Sequence, residues 1–287
     1  MSAHTSVSRR RLLQLGGVAA LAMGAPGTVA ARTDPNRKGP GAADKSCIFV
    51  LLCGGPSHLD LWDLKPDAPN EIRGPYRPLQ TAVPGMRISE LQPKLSKLTK
   101  HFALVRSMTH PGNISNHFDA MHNLLSGQHS APQDSPYLGS VLSKVRPSQK
   151  ALASYVWLIK CVGDPVFCAP NIGTGGNLGP HHAPLFVGSA ANNPALPGFK
   201  APDALLPVDT AERLNDRRDL LGSLNRGASA SDSTHQGWRD VQGKGFDIAT
   251  STGPREAFNM DREDVRTRDR YGRNPLGQNL LLARRLV

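Results

Sequence analysis

Cys47-Ile48-Phe49-Val50-Leu51-Leu52-Cys53, followed at once by Gly54-Gly55-Pro56-Ser57-His58-Leu59-Asp60-Leu61-Trp62-Asp63, is the stretch on which the fold turns. A continuous apolar run with β-branched and aromatic members has the pattern of a strand buried on both faces of a parallel sheet. The glycine pair and the proline break it sharply, and two glycines let a backbone turn tightly and approach a ligand closely. In open α/β sheets ligands bind beyond the carboxyl ends of the strands, so this turn is a predicted site. His58, Asp60 and Asp63 supply an imidazole and two carboxylates within six residues. That donor set suits a divalent metal such as zinc, calcium or manganese. Ser57 adds a hydroxyl for substrate binding. A Gly-Pro turn carrying solvated polar residues is the plainer alternative.

Working outward, residues 91–100 read as helix and 102–106 as a second strand. Residues 116–126 and 136–145 read as helices, and 155–159 as a third strand. Residues 171–207, dense in Gly, Pro and Asn, read as a long irregular excursion of the rim or lid kind. Residues 209–224 have a helical pattern with Asp209 as N-cap and Glu212 in the capping-box position. Residues 225–235 are loose, and 255–271 are helical in pieces. At 275–287, Leu276, Leu280, Ala283 and Val287 fall at helical spacing behind Pro275. Strands alternating with helices give an α/β class, a mixed or parallel sheet flanked by helices. Because Val287 ends in an apolar helix face, without a capping glycine, the spacing predicts a domain cut short.

A histidine series follows the second expected strand: His110, His117, His122 and His129. His117 lies at the start of the helix expected over 116–126, where free amides and the helix dipole favour an anion. At ~100° per residue, His122 lies about 140° round that helix from His117, so the two need not face one site. Both are candidate catalytic groups, and His110 is a candidate for substrate binding. A structural or exposed role for one or two of them is the alternative. Gly175-Gly176-Asn177-Leu178-Gly179-Pro180-His181-His182 resembles a glycine-rich loop without the spacing of a phosphate loop. His181 and His182 are candidates to line a pocket, against the blander reading of a flexible loop. No Gly-x-Ser-x-Gly elbow surrounds Ser57, Ser107, Ser115 or Ser126, which counts against a serine hydrolase.

The ends and the bulk composition set the setting. Arg9-Arg10-Arg11 stands before an apolar run from Leu12 to Ala25, and Thr28-Val29-Ala30 offers small residues for cleavage. This is a signal peptide over 1–30, and the paired arginines select the twin-arginine route to a periplasmic or extracellular location. The apolar run is shorter than the ~20 residues that span a bilayer, so a stable membrane span is not expected in the mature chain. A polar linker occupies 31–45, and one domain occupies 46–287. The 287 residues carry a formal net charge of +11. The basic residues are scattered and form no stripe with aromatics, which argues against nucleic acid and leaves room for anionic substrates. Of the cysteines, Cys47 and Cys53 stand roughly 20 Å apart along a strand and cannot bridge. Cys161 and Cys168 flank a Gly-Asp-Pro turn, and an oxidising compartment allows a disulfide there without demanding one.

Several motifs together resemble one family. They are Gly54-Gly55-Pro56-Ser57-His58-Leu59-Asp60, Asp63-Leu64-Lys65-Pro66, Glu71-Ile72-Arg73-Gly74-Pro75, Arg106-Ser107-Met108, Leu124-Leu125-Ser126-Gly127-Gln128 and Asp269-Arg270-Tyr271-Gly272 with Gly277-Gln278. In these the chain resembles the domain of unknown function 1501, from the signal to Val287. The resemblance implies a sulfatase-like α/β fold of the alkaline phosphatase superfamily, whose members bind divalent metals and cleave phosphate or sulfate esters. Two departures stand out. Sulfatases place a Cys or Ser nucleophile ten residues before the Gly of a Leu-Thr-Gly motif, and counting back from Gly127 lands on His117. That implies a ligand or general base there instead of a covalent nucleophile. The family's later Trp-Asp-x-His and Gly-Arg-Asp-His segments are not in this sequence, which implies an N-terminal part only. The expectation is an exported, sulfatase-like, metal-dependent hydrolase of small or polymeric anionic esters. The alternative is a non-catalytic exported binding or cell-surface scaffold.

Overall fold

A computed structural model describes residues 45–52, 56–110, 112, 114, 116–128, 132–148, 151–158, 172–206, 209–225 and 233–287. The expected signal peptide over 1–30, the expected linker up to residue 44, the Cys53–Gly55 turn, Ser115, His129, and Cys161 with Cys168 lie outside the described residues. The chain divides into two units, Met1–Ser46 and Cys47–Val287, and every element below belongs to the second. The architecture is mixed α/β, with helices around two small sheets. No helix among the described residues is long and apolar enough to cross a membrane.

The short helix α1 (His58–Leu61) opens the described part of the site region. An antiparallel hairpin follows, β1 (Pro78–Gln80) against β2 (Arg87–Ser89), with Leu79 opposite Ile88 and Gln80 opposite Arg87. Its turn is held by the Thr81 hydroxyl, which donates to the Met86 carbonyl at 2.7 Å. Ile88 and Ser89, on opposite faces of β2, are both buried, while Arg87 is exposed at the start of the strand.

The second sheet is the parallel pair β3 (Val156–Leu158) and β4 (Leu185–Val187). Val156 and Leu158 pack with Val187, Leu205, Phe258, Met260, Leu281 and Leu282, the main core. Trp157 points the other way, onto a second cluster of Leu125 and Tyr137 with Leu51, Met121 and Ile172. One short strand thus supplies side chains to both cores.

Those cores draw on α2 (His117–Ser126), α5 (Ser233–Thr250), α6 (Gly253–Phe258), α7 (Val265–Tyr271) and α8 (Pro275–Leu286); α3 (Leu138–Val145) and α4 (Ala211–Asn225) are the other helices of this part of the chain. α2 begins because Asn116 accepts the Asp119 amide at 2.9 Å. It ends at Gly127, whose φ of +68° is the left-handed turn that a helix exit uses. α8 is capped by Asn274, which accepts the Gly277 amide, and carries Pro275 in its first turn.

Several expectations change. The apolar run at 47–52 forms no strand. Ile48, Phe49, Val50 and Leu52 are between 44% and 53% exposed. Apolarity signals a strand only where a partner edge satisfies its backbone, and no described strand lies alongside. Residues 102–106 are likewise unpaired, with Val105 67% exposed. The segment 91–100 becomes a 3-10 helix at Leu95–His101, and the 171–207 excursion contributes β4 to the core. α5 fills a region read as loose at its start. The 209–224 helix begins at Ala211, with the Thr210 hydroxyl accepting the Arg213 amide. Asp209 lies outside it and pairs with Arg213 and Arg217, so the expected capping box is replaced by ion pairs.

Candidate functional site

The turn after residue 52 was expected to gather His58, Asp60 and Asp63. The structure orients them differently. His58 is exposed at the start of α1, and its carbonyl accepts the Trp62 and Asp63 amides at 2.8 Å. Asp60 lies against Gly74, where a β-carbon would collide with its Oδ1. Asp63 pairs with Lys65 at 2.7 Å. Among the described residues no three His, Cys, Asp or Glu side chains converge as they must to hold a metal ion. His58, Asp60 and Asp63 therefore do not make a complete metal cage among themselves. Ser57 is exposed; its carbonyl accepts the Asp60 amide, and its side chain does not cap α1.

The histidines are dispersed. His110 is exposed. His117 is exposed at the first turn of α2, while His122, five residues on and about 140° round the helix, is buried. His122 lies 2.9 Å from the Pro132 carbonyl through Nε2 and 3.0 Å from the Tyr137 hydroxyl through Nδ1. A carbonyl only accepts, so Nε2 carries the proton and Nδ1 accepts from the tyrosine. Both ring nitrogens are thereby committed to packing between α2 and the chain entering α3. His181 and His182 follow a 3-10 turn at Gly176–Leu178. His181 rests near Trp238, with ring centroids 6.0 Å apart. His182 Nδ1 lies 2.8 Å from the Ser143 hydroxyl on α3. Loss of solvent, then Lys144 and His181, hold its pKa below the ordinary 6.5. Close by, burial and then Tyr137 push the Tyr155 hydroxyl well above its usual value. Burial lowers Lys244, opposed by Asp247, and Lys244 donates to the Ser148 carbonyl.

A ligand-sized cleft opens beside α1. It encloses about 390 Å³, and Trp62, Asp63, Lys65, Asp67, Arg87 and Arg106 contribute to its walls. Buried Leu64 anchors the Trp62–Ala68 loop from beneath. Lys65 has a φ of +48°, the one non-glycine residue in the left-handed region among the described residues. It precedes Pro66, a neighbour that favours extended backbone, so the loop holds this turn against local preference. Opposite, Arg87 leaves the outward face of β2, and Arg106 donates to its carbonyl at 3.1 Å. Neither arginine pairs with a carboxylate among the described residues. Sequence reading missed this cleft. Arg87 sits in a hairpin it did not recognise, and Arg106 was noticed only inside a motif.

Residues 44–287 match the family described as protein of unknown function DUF1501. The chain belongs to the DUF1501 family. No curated protein and no solved structure matches it. The DUF1501 motifs quoted above now have physical places. Gly74 is where the chain passes directly over Asp60. Ser126 donates to the His122 carbonyl at 2.6 Å and Asn123 to the Gln128 carbonyl at 2.7 Å, closing α2 around Gly127. Gln278 is fully buried; it accepts from Arg268 Nε and donates to the Arg268 and Gly272 carbonyls. Gly277 leaves no room for a β-carbon against the Tyr271 carbonyl. Several of the motif residues quoted above thus tie helix ends together.

Proposed function

We propose that this DUF1501 protein is exported by the twin-arginine route and acts, in the periplasm or outside the cell, on sulfate or phosphate esters. The single observation that carries this reading is the cationic cleft, an open cleft of ligand size with two arginines that pair with no carboxylate among the described residues. The sulfatase-like fold that the motifs imply supports ester hydrolysis as the reaction. In such a hydrolysis the arginines hold the anionic group and stabilise charge that develops on its oxygens. His117 is the proposed acid-base group, with His110 and Ser57 near the substrate. Zinc, calcium or manganese belongs to this reading as the source of a polarising cation. His58, Asp60 and Asp63 alone do not meet that need, so further donors are required.

Turnover of aryl sulfate and phosphate esters by purified chain, across a panel of divalent metals and with elemental analysis, tests the reading. Hydrolysis that is lost in His117→Ala supports it. A folded protein with no metal and no turnover refutes it.

A second reading is an exported binding or cell-surface scaffold of the same fold. The dispersal of the candidate histidines favours it, since His122 is taken up by packing and His117 and His110 lie exposed. Ester binding without turnover is its signature.

A further inference from the structure

We propose that the cleft between the Trp62–Ala68 loop and β2 is a binding site for organic sulfate or phosphate monoesters, with Arg87 and Arg106 as the anion-holding pair and Trp62 as the wall for the organic group. The choice of esters as ligands rests on the function proposed above. The site itself stands on geometry that a purely structural role does not explain.

Three observations converge. First, the charges are arranged to leave a positive surplus. Asp63 is occupied by Lys65 at 2.7 Å, and Asp67 is the other carboxylate of the walls, so Arg87 and Arg106 together outweigh it and the cleft keeps a net positive charge. Arg106 spends one N–H on the Arg87 carbonyl, which fixes its position while leaving further donors of its guanidinium for a ligand. Guanidinium forks match the tetrahedral oxygens of sulfate and phosphate in pairs. Second, the opposite wall is held in a costly backbone state. A lysine in the left-handed region is disfavoured backbone, and such strain gathers where a protein holds a ligand. Here the strained residue is the one whose ammonium engages Asp63. Third, the cleft combines that charge with an indole. Trp62 lines the same cleft as the cations, and an indole wall suits a ring carrying an anionic ester rather than a bare ion.

Calorimetric titration of the full chain with phenyl sulfate and phenyl phosphate, with inorganic sulfate, inorganic phosphate and phenol as comparators, tests the site. Both esters are expected to bind, each at least tenfold more tightly than its inorganic anion, and phenol is expected not to bind measurably. The double variant Arg87→Gln/Arg106→Gln is expected to weaken ester binding at least tenfold. Trp62→Ala is expected to weaken the esters severalfold while leaving the inorganic anions unchanged. A second double variant, Arg266→Gln/Arg284→Gln, removes the same charge from exposed positions outside the cleft and is expected to bind like the unaltered chain. Thermal unfolding confirms that each variant is folded. Phenol binding as tightly as the esters overturns the proposal, as do equal losses in the two double variants or no ester binding by the unaltered chain. The Arg87→Lys/Arg106→Lys pair keeps the charge and removes the fork, so full retention of affinity there overturns the paired-guanidinium assignment. A chain that binds esters and never cleaves them defeats the hydrolase and leaves this site standing. A chain that cleaves them with undiminished affinity in Arg87→Gln/Arg106→Gln does the reverse.

Discussion

The Ser143 hydroxyl and Nδ1 of His182 are hydrogen bonded at 2.8 Å, joining α3 to the loop that leads into β4. His182 titrates below its ordinary 6.5 because burial, Lys144 and His181 all disfavour its charged form. The sign follows directly. Below 6.5 the unfolded chain takes up a proton that the folded chain resists, so the unfolded state gains as pH falls. Stability is therefore full above 6.5 and declines from there down through the folded pKa. Urea midpoints measured from pH 8 to pH 5 should show this fall, and His182→Gln should flatten it. An unchanged slope in His182→Gln assigns the acid sensitivity elsewhere.

His122 should behave as a packing residue. Replacing it with Ala removes one hydrogen bond from the Tyr137 hydroxyl and one from the Pro132 carbonyl and opens a gap beside Tyr137. A loss of about 2–4 kcal/mol is expected in denaturant unfolding. His117→Ala, at the exposed start of the same helix, should cost less than about 1 kcal/mol. Equal costs for the two would contradict the packing described for α2.

Gln278 carries a similar prediction. A Gln278→Leu chain keeps the volume but leaves Arg268 Nε and the Arg268 and Gly272 carbonyls short of partners. The expected cost is about 2–4 kcal/mol, read as a lower unfolding midpoint. Gly277→Ala should be at least as damaging, because its β-carbon meets the Tyr271 carbonyl, a backbone atom that cannot swing aside.

Arg285 ties α8 to the chain before it. It pairs with Glu263 at 2.5 Å and donates to the Ala257 and Glu256 carbonyls. Arg285→Met leaves a half-buried carboxylate and two carbonyls without this partner, and should cost about 2–4 kcal/mol. A double change with Glu263→Gln should recover part of that loss, which a double-mutant cycle measures.

At the apolar run, Leu51→Ala and Phe49→Ala separate a buried strand from a surface segment. Leu51 packs on the second core, whereas Phe49 is half-exposed. The expected costs are about 1–2 kcal/mol for Leu51 and under about 0.5 for Phe49. Large, equal costs would restore the buried strand.

The helices were legible where a cap or a period marked them. Asn116 and Gly127 delimit α2 almost to the residue, and Pro275 with the leucine spacing gives α8. Segment 155–159 was legible as a strand, since Val156, Trp157 and Leu158 are β-formers next to a turn. The run at 47–52 misled because apolar composition reports a wish for burial, whereas a strand also needs a neighbour's backbone. β4 was hidden because Leu185-Phe186-Val187 is three residues inside a stretch full of Gly, Pro and Asn. The candidate site was less legible than the fold. The turn at Asp63 was found by its chemistry, but Arg87 and Arg106 stand 19 residues apart and meet only through the carbonyl of the first.

The buried carboxamide of Gln278 has a bearing on how relatives are gathered. A signature built on it, on Gly277 and on Gly127 collects chains that turn their corners alike, whatever they handle. On the site proposed above, sorting those same chains by what stands at the positions of Trp62, Arg87 and Arg106 would divide them by ligand, and the two groupings need not coincide.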